Sequence, residues 1–246
     1  MCLSFSNKNK TTKLDFSILG IDIHAHLLPG IDDGVQDIKE SIETVEQFVN
    51  CGFTKLIQTP HFASDYFKNS NNKILSKLKV LQEAVKQHNI PVTIEAAAEY
   101  YFDYNFKEMV DQKEELLTFG NNYVLIEFSS SFLPEKFFDV FFTLQTNGYR
   151  PVLAHPERYG YFAADFNIYE KILDKGVLFQ LSLNSLVDGY GKQVTKTSQE
   201  MIKHNMYSFA GSDCHGMYDF LLLKNVLSDK WFQKLVDSGR LLNKTL

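Results

Sequence analysis

The chain has 246 residues, a formal net charge of −5 at pH 7 and a sequence pI near 5.8. Hydrophobic residues make up 44% of the sequence and charged residues 22%, a composition typical of a soluble globular protein rather than a disordered or fibrous one. No stripe of lysine and arginine offers the positive surface that nucleic acid phosphates require, so we expect no nucleic acid partner.

Seven short runs rich in apolar and β-branched residues predict buried strands along the chain. Amphipathic segments between them predict helices, and the clearest covers residues 38–50, with an N-cap at Asp37 and a stop at Gly52. In chain order the strand runs are ILGIDIHAH, FTKLIQTPH, PVTIEAAAEY, YVLIEF, PVLAHPE, VLFQLSLN and YSFAGSDCH, and further helices are expected at residues 70–89, 134–147, 165–175, 192–205 and about 216–238.

The alternation of strand and helix predicts a parallel sheet with helical crossovers. Seven such units without a Gly-rich linker favour closure into one α/β barrel, although the length would also suffice for two small domains. No G-x-G-x-x-G segment indicates a dinucleotide fold.

The N-terminal sequence and the cysteines bear on the cellular compartment. The beginning, MCLSFSNKNKTTKLDF, lacks the apolar core of about 7–15 residues that a signal peptide needs, and no apolar run reaches the roughly 18 residues of a membrane span. Cys2, Cys51 and Cys214 form no C-x-x-C pair, so we expect neither a disulfide framework nor a thiolate zinc site. A cytoplasmic protein is therefore predicted.

Polar residues follow the predicted strands at the edge where an α/β barrel builds its active site. Only the sixth run lacks a strong ligand and offers Gln180 and Asn184 instead. The residues at the other strand ends are His24, His26, His61, Glu99, Glu127, His155, Asp213 and His215.

This set predicts a metal centre. Residues two apart on a strand share a face, so His24 with His26, and Asp213 with His215, can bind one centre. Imidazole with carboxylate suits manganese, iron, zinc or magnesium. These ligands, with Asp32 or Asp33 in addition, exceed the needs of one tetrahedral ion, so two or three ions are predicted, an arrangement typical of enzymes that cleave phosphate esters.

Each of these residues also has a structural interpretation. A single histidine at a strand end is more often a structural residue than a ligand, and Glu99 or Glu127 alone could cap a helix or form an ion pair. The joint pattern favours the metal centre, because five of the seven histidines lie at strand ends.

Arg158 lies three residues beyond His155 and could grip a phosphate with its planar fork of donors, or else pair with Glu157 or another carboxylate. Five tyrosines could line the mouth of the site and stack on an aromatic substrate, or lie in the core. They are Tyr100, Tyr101, Tyr104, Tyr159 and Tyr161.

A cysteine-based tyrosine phosphatase mechanism is excluded by spacing. Such enzymes need an arginine at a fixed short spacing after the catalytic cysteine. At that spacing after Cys2, Cys51 and Cys214 the sequence has Lys8, Ile57 and Phe220. None of these side chains supplies the guanidinium fork.

The residues resemble the PHP (polymerase and histidinol phosphatase) superfamily, in its bacterial manganese-dependent protein-tyrosine-phosphatase branch. The resemblance implies a distorted seven-stranded (β/α) barrel of TIM type, with residues 1–19 as an N-terminal extension and residues 20–246 as a single phosphatase domain. Its motifs are DIHAHLLPGIDDG, TPHF, AAAEYY, YVLIEF, PVLAHPERY and GSDCH, in order over roughly residues 20–215.

The resemblance also implies up to three Mn²⁺ ions, with Fe, Zn or Mg as alternatives, and a phosphate contact from Arg158. In the implied partition, His24, His26, Glu99 and Asp213 hold one ion, Glu99, Glu127 and His155 a second, and Asp33, His61 and His215 a third.

Two departures from the superfamily pattern are visible. The segment GMYDFLLLK has no counterpart of the arginine that many relatives carry after the last D-x-H. Phe62 follows His61 where some PHP proteins have a second histidine, which argues against the histidinol phosphatase branch.

The function implied is hydrolysis of phosphotyrosine on a protein, with the tail of a membrane-associated tyrosine kinase that controls capsule or exopolysaccharide export as the expected substrate. Three alternatives stay open: a PHP phosphatase for a small molecule such as histidinol phosphate, a metal-dependent amidohydrolase, and an inactive, metal-bound regulatory domain. The oligomeric state is not predicted.

Overall fold

The computed structural model describes residues 15–246, which contain nine strands and eight α-helices. The strands are β1 (Ile21–Ala25), β2 (Lys55–Gln58), β3 (His61–Phe62), β4 (Thr93–Ala96), β5 (Glu99–Tyr101), β6 (Tyr123–Glu127), β7 (Arg150–Ala154), β8 (Leu178–Ser182) and β9 (Phe209–Gly211). The helices are α1 (Ile38–Asn50), α2 (Asn71–Gln87), α3 (Tyr104–Asp111), α4 (Phe137–Thr146), α5 (Asn167–Asp174), α6 (Lys192–Lys203), α7 (Met217–Val226) and α8 (Lys230–Asp237).

The strands are parallel and form two sheets, in the orders β1-β2-β4 and β3-β5-β6-β7-β8-β9. The α/β class and the curled parallel sheet are confirmed, but the predicted count of seven strands is not. The second and third runs each divide in two, because Pro60 has no N–H to donate to the ladder. The breaks lie side by side: Ala97 donates to the Gln58 carbonyl at 2.8 Å and Glu99 to the Pro60 carbonyl at 3.1 Å.

The last strand returns to the first. The Asp213 N–H donates to the His24 carbonyl at 2.7 Å, and the His26 N–H donates to the Cys214 carbonyl at 2.9 Å. These bonds lie just beyond β9 and at the end of β1, so both D-x-H and H-x-H segments meet at one edge of the fold.

The helix predictions hold with two exceptions. Helix α1 spans residues 38–50, and the Asp37 carboxylate caps it by accepting from the Glu40 N–H at 2.9 Å. The segment at about 216–238 forms two helices, because Asp229 accepts from the N–H groups that begin α8. Helix α3 was not predicted, and it begins behind a similar cap, Asp103.

The apolar side chains of the strands form two layers, and their alternation determines the face on which each polar residue of a strand lies. On β6, Val124 and Ile126 belong to the outer core beneath the helices, whereas Tyr123 and Leu125 belong to a smaller inner cluster. Glu127 follows Leu125 by two residues and therefore continues the inner row at the carboxyl end. The inner cluster fills the interior below this edge with Ile23, Ile57, Ala97, Phe119, Tyr123, Leu125, Val152, Ala154 and Phe209.

The segment before β1 packs on the outer core through Phe16 and Leu19, both buried. Residues 1–14 of the predicted N-terminal extension, which include Cys2, lie outside the described residues. Within residues 15–246 no helix combines the length and apolar character of a membrane span.

We expect the contact between Asp22 and Ser212 to be a main support of the junction between β1 and β9. The buried Asp22 carboxylate accepts from the Ser212 N–H at 2.8 Å and from its hydroxyl at 2.6 Å. Ser212→Ala leaves one carboxylate oxygen without that donor, so the free energy of unfolding should fall by about 1–3 kcal/mol in urea titrations.

Ser228→Ala is the matched control, because this exposed hydroxyl bonds only within its own turn. Its free energy of unfolding should stay within about 0.5 kcal/mol of the parent protein. Equal effects of the two substitutions would contradict the role of Ser212.

Candidate metal centre

The structure brings all nine predicted ligand residues together at the carboxyl edge of the strands. They fall into four overlapping groups, and within each group the donor atoms lie within 4.8 Å of one another. The groups are His26, Asp33, His61 and His215; His24, His26 and Asp213; His24, Glu99 and His155; and His61, Glu99 and Glu127.

Glu99 lies at the centre of the cluster and is fully buried. Its Oε2 atom is 3.1 Å from His61 Nδ1 and 3.2 Å from His24 Nε2, yet it accepts no aligned hydrogen bond. The Nε2 atoms of His24 and His26 lie 3.2 Å apart. These nitrogen and oxygen atoms therefore converge on one small space, an arrangement that suits a cation.

The other Glu99 oxygen, Oε1, lies 3.1 Å from His155 Nε2. Glu127 approaches the same region, 3.6 Å from His61 Nδ1 and 3.8 Å from His155 Nε2. Glu99 therefore belongs to two of the geometric groups, and the family resemblance implies a role for it at two ions. The chemistry of this donor set, imidazole and carboxylate without thiolate, fits a divalent metal.

Asp33 lies at the mouth of the cluster with about half of its side chain exposed, 3.4 Å from His61 Nε2 and 3.5 Å from His215 Nε2. His26 also belongs to this group. The four geometric groups overlap, because His24, His26, His61 and Glu99 each belong to two of them, so they do not divide the residues into the three sets that the resemblance implies.

Asp32, the neighbour of Asp33, orients residues of the cluster through hydrogen bonds. Its buried Oδ2 atom lies 2.9 Å from His26 Nδ1 and accepts from the His61 N–H at 3.0 Å. Gln180 acts on His24 in the same way, with its Oε1 atom 2.9 Å from His24 Nδ1. Hydrogen bonds of this kind fix the tautomer and direction of a ligating ring.

Three imidazoles are strongly basic before a cation binds. Burial lowers the pKa of His24, but the Glu99 and Asp213 carboxylates outweigh it and raise the pKa to about 9. Burial is likewise outweighed at His61, whose pKa rises to about 10 beside Glu99, and at His215, whose pKa rises to about 9 beside Asp33.

Two further imidazoles shift in the direction that suits a ligand, whereas Glu127 shifts towards its protonated form. Burial and the neighbouring His215 lower the pKa of His26 to about 4, and burial with Arg158 lowers that of His155 to about 4. Both rings are therefore neutral at physiological pH and can donate a lone pair. Burial and the Glu99 carboxylate raise the pKa of Glu127 to about 8.

Arg158 faces the cluster and holds one of its carboxylates. Its Nη1 atom lies 2.6 Å from Asp213 Oδ2, and the guanidinium covers the Tyr190 ring at 4.3 Å. The Tyr190 hydroxyl donates to the same Asp213 oxygen at 3.0 Å. Sequence reasoning missed Tyr190, which lies in a loop without a periodic signal.

The structural alternative for Arg158 was a pair with Glu157 or another carboxylate, and the structure pairs it with Asp213 rather than with Glu157. The buried Glu157 carboxylate accepts from the Ser182 N–H at 3.0 Å, from the Ser185 hydroxyl at 2.7 Å and from the Tyr207 hydroxyl at 3.1 Å. Glu157 therefore bonds to Ser182, Ser185 and Tyr207, whereas its neighbour Arg158 bonds to Asp213 in the metal-ligand cluster.

The cluster opens into a cleft of about 240 Å³. Of the predicted aromatic residues only Tyr101 lines it, while Tyr100 and Tyr159 are buried. Arg158 is the one lysine or arginine in this described lining. The full lining is Asp33, His61, Ala63, Tyr66, Phe67, Tyr101, Glu127, His155, Arg158, Asp213 and His215.

Comparison with known proteins gives consistent relatives. The family described as "Capsular polysaccharide synthesis, CpsB/CapC" matches residues 20–219. Tyrosine-protein phosphatase YwqE from Bacillus subtilis is 32% identical over 80% of this chain and 78% of its own, and CapC from Staphylococcus aureus is 30% identical over 85% and 83%.

Solved structures agree. One from a study of YwqE from B. subtilis and CpsB from Streptococcus pneumoniae, described as unique metal-dependent tyrosine phosphatases, superposes with a TM-score of 0.79 at 28% identity, covering 88% of this chain and 90% of that one. Histidinol phosphate phosphatase from Lactococcus lactis shares the fold alone, with a TM-score of 0.54 at 13% identity over 85% and 92% of the two chains.

A curled parallel sheet with converging imidazoles and carboxylates at its carboxyl edge defines an α/β protein with residues able to bind metal at that edge. Within that class, the chain belongs to the CpsB/CapC family.

Binding of a divalent metal should release protons. Three imidazoles with pKa values of about 9, 10 and 9 are protonated at neutral pH, and a metal must displace those protons. The apparent affinity for Mn²⁺ should therefore rise with pH until about pH 10, where the last of the three imidazoles loses its proton. Calorimetric titration in two buffers of different ionisation enthalpy measures the release, and an affinity independent of pH would contradict it.

Asp32→Ala should weaken metal binding by about 10–100-fold, because His26 loses the partner that orients its ring. Asp37→Ala is the matched control: this aspartate caps α1 and contacts none of the cluster, so it should lower the melting temperature without changing metal affinity. Competition with a fluorescent chelator measures both variants. Affinity equal to the parent protein in Asp32→Ala would contradict the assignment.

Proposed function

We propose that this protein is a metal-dependent protein-tyrosine phosphatase that does not use a cysteine nucleophile. The observation that carries the proposal is the convergence of imidazole and carboxylate donors on shared space at the floor of a cleft, with Arg158 beside them. Relatives that carry the name tyrosine-protein phosphatase support it.

The residues proposed to hold the metal are the nine that converge, and manganese is the proposed ion, with iron, zinc or magnesium as alternatives. Up to three ions would occupy the site. When bound, such ions lower the pKa of a coordinated water and offset the negative charge of a phosphate. The nine residues are His24, His26, Asp33, His61, Glu99, Glu127, His155, Asp213 and His215.

Arg158 is the proposed phosphate-contacting residue. Asp213 and the Tyr190 ring hold its guanidinium at the cleft wall, so little side-chain freedom is lost when a phosphate arrives. The guanidinium has five N–H donors, and those not directed at Asp213 remain available for phosphate oxygens.

A tyrosine leaving group suits this site. Its conjugate acid has a pKa of about 10, far below that of an alkyl alcohol, so expulsion needs less help from a general acid. The carboxylates at the cleft floor are all committed to the proposed metal centre, which leaves few groups to protonate a poorer leaving group.

The proposed substrate is a phosphotyrosine-bearing protein, with a membrane-associated tyrosine kinase as its source. The family description, capsular polysaccharide synthesis, supports a role in capsule or exopolysaccharide production. We further propose that residues 20–246 form one phosphatase domain that acts in the cytoplasm, derived from a seven-stranded barrel whose second and third strands are interrupted.

Hydrolysis of a phosphotyrosine peptide should stop in chelator and resume when Mn²⁺ is added, and His155→Ala should lower kcat/KM by at least about 100-fold. Phosphate release from the peptide and from histidinol phosphate is measured side by side. His88→Ala is the matched control, because this exposed ring only bonds the Ala84 carbonyl.

Activity that persists in chelator, or that survives His155→Ala, would overturn the metal-phosphatase proposal. A preference for histidinol phosphate would select the small-molecule phosphatase alternative. An inactive regulatory domain would bind metal and hydrolyse neither compound.

A further inference from the structure

Three aromatic side chains, Tyr66, Phe67 and Tyr101, line the cleft together with the proposed ligands, and we call them the aromatic wall. Packing within the protein does not account for Tyr66. Tyr66 is 79% exposed. Tyr100, in contrast, is buried and accepts a hydrogen bond from the Leu117 N–H, so it serves the core.

The loop that carries this wall is held in place. The N–H groups of Ala63 and Asn69 both donate to the Phe67 carbonyl, at 3.2 and 2.7 Å. The Ser64 N–H and hydroxyl donate to Asp103 Oδ2 at 3.0 and 2.6 Å. The aromatic side chains are therefore presented by an ordered turn rather than by a free loop.

Asp103 joins the two halves of the wall. Its other oxygen accepts from the Phe106 N–H at 2.8 Å and caps α3. One carboxylate thus fixes the turn after β3 to the segment that follows Tyr101, the last residue of β5.

The wall borders the metal centre directly. The Phe67 ring stacks on the His61 ring with centroids 5.4 Å apart and an interplanar angle of 13°. Asn69, at the end of the same turn, donates to the His61 carbonyl at 2.7 Å. The charged lining of the cleft includes Arg158, so the cleft joins a charged region to an apolar one.

We propose that Tyr66, Phe67 and Tyr101 bind the aryl ring of the substrate and so set a preference for aryl over alkyl phosphates. The inference rests on the proposed function, since it places the phosphate at Arg158 and the donor cluster. A flat ring gains offset or edge contacts with aromatic neighbours that an alkyl chain lacks. In the free protein the exposed Tyr66 ring leaves apolar surface in water, and bound substrate covers that surface.

The test compares two unreactive ligands, phenylphosphonate and methylphosphonate, binding to the Mn²⁺-loaded full chain by calorimetry. Wild-type protein should bind phenylphosphonate about tenfold more tightly. Tyr66→Ala and Phe67→Leu should each reduce that ratio by at least about threefold, through weaker binding of phenylphosphonate. Phe142→Ala, an exposed aromatic on α4 outside the cleft lining, is the matched control and should keep the ratio.

Metal content is measured in each variant, because Phe67 contacts His61. If Phe67→Leu loses metal, Tyr66→Ala decides the outcome. A wild-type protein that binds neither phosphonate or shows no preference overturns the inference, as does an unchanged ratio in Tyr66→Ala. Failure of the proposed function is distinct: it would appear as no metal-dependent hydrolysis of phosphotyrosine, whereas the binding ratio requires no turnover.

Discussion

Imidazoles and carboxylates crowd into one small polar space, and the rest of the structure keeps them there. Glu99 shows the constraint most sharply, because the Oε2 atom of its buried carboxylate lies near three histidine rings and accepts an aligned hydrogen bond from none of them. Burial opposes its charge, while His24 and His61 hold its pKa well below the usual range. Such a group is stable in the interior only when positive charge converges on it.

The surroundings meet this demand in two ways. The inner apolar cluster closes the interior beneath the site, which lowers the local dielectric and strengthens every interaction above it. Behind the donors, Asp32 and Gln180 fix the directions of His26 and His24. Asp213 has a double task, because Oδ1 faces the two rings while Oδ2 holds Arg158.

Much of the site could be predicted because parallel strands end at one edge, so a polar residue at each strand end becomes a neighbour of the others. The choice between Asp32 and Asp33 could not be derived from spacing, since both lie in one turn and only burial separates them. Tyr66 and Phe67 escaped prediction for a related reason, because the turn after β3 has no periodicity to indicate its direction. The Pro60 break was visible in the sequence, but its consequence for the sheet depends on the adjacent break at Ala97.

The pairing of Asp22 with Ser212 spans 190 residues of sequence. Closing a loop of that length costs chain entropy, which the junction between β1 and β9 must offset. The same junction holds Asp213 and His215 against His24 and His26. Selection among divalent ions depends on the full coordination geometry, and residues from both sides of this junction contribute to it. The contact that closes the sheet on itself is therefore also the contact that completes the candidate metal site.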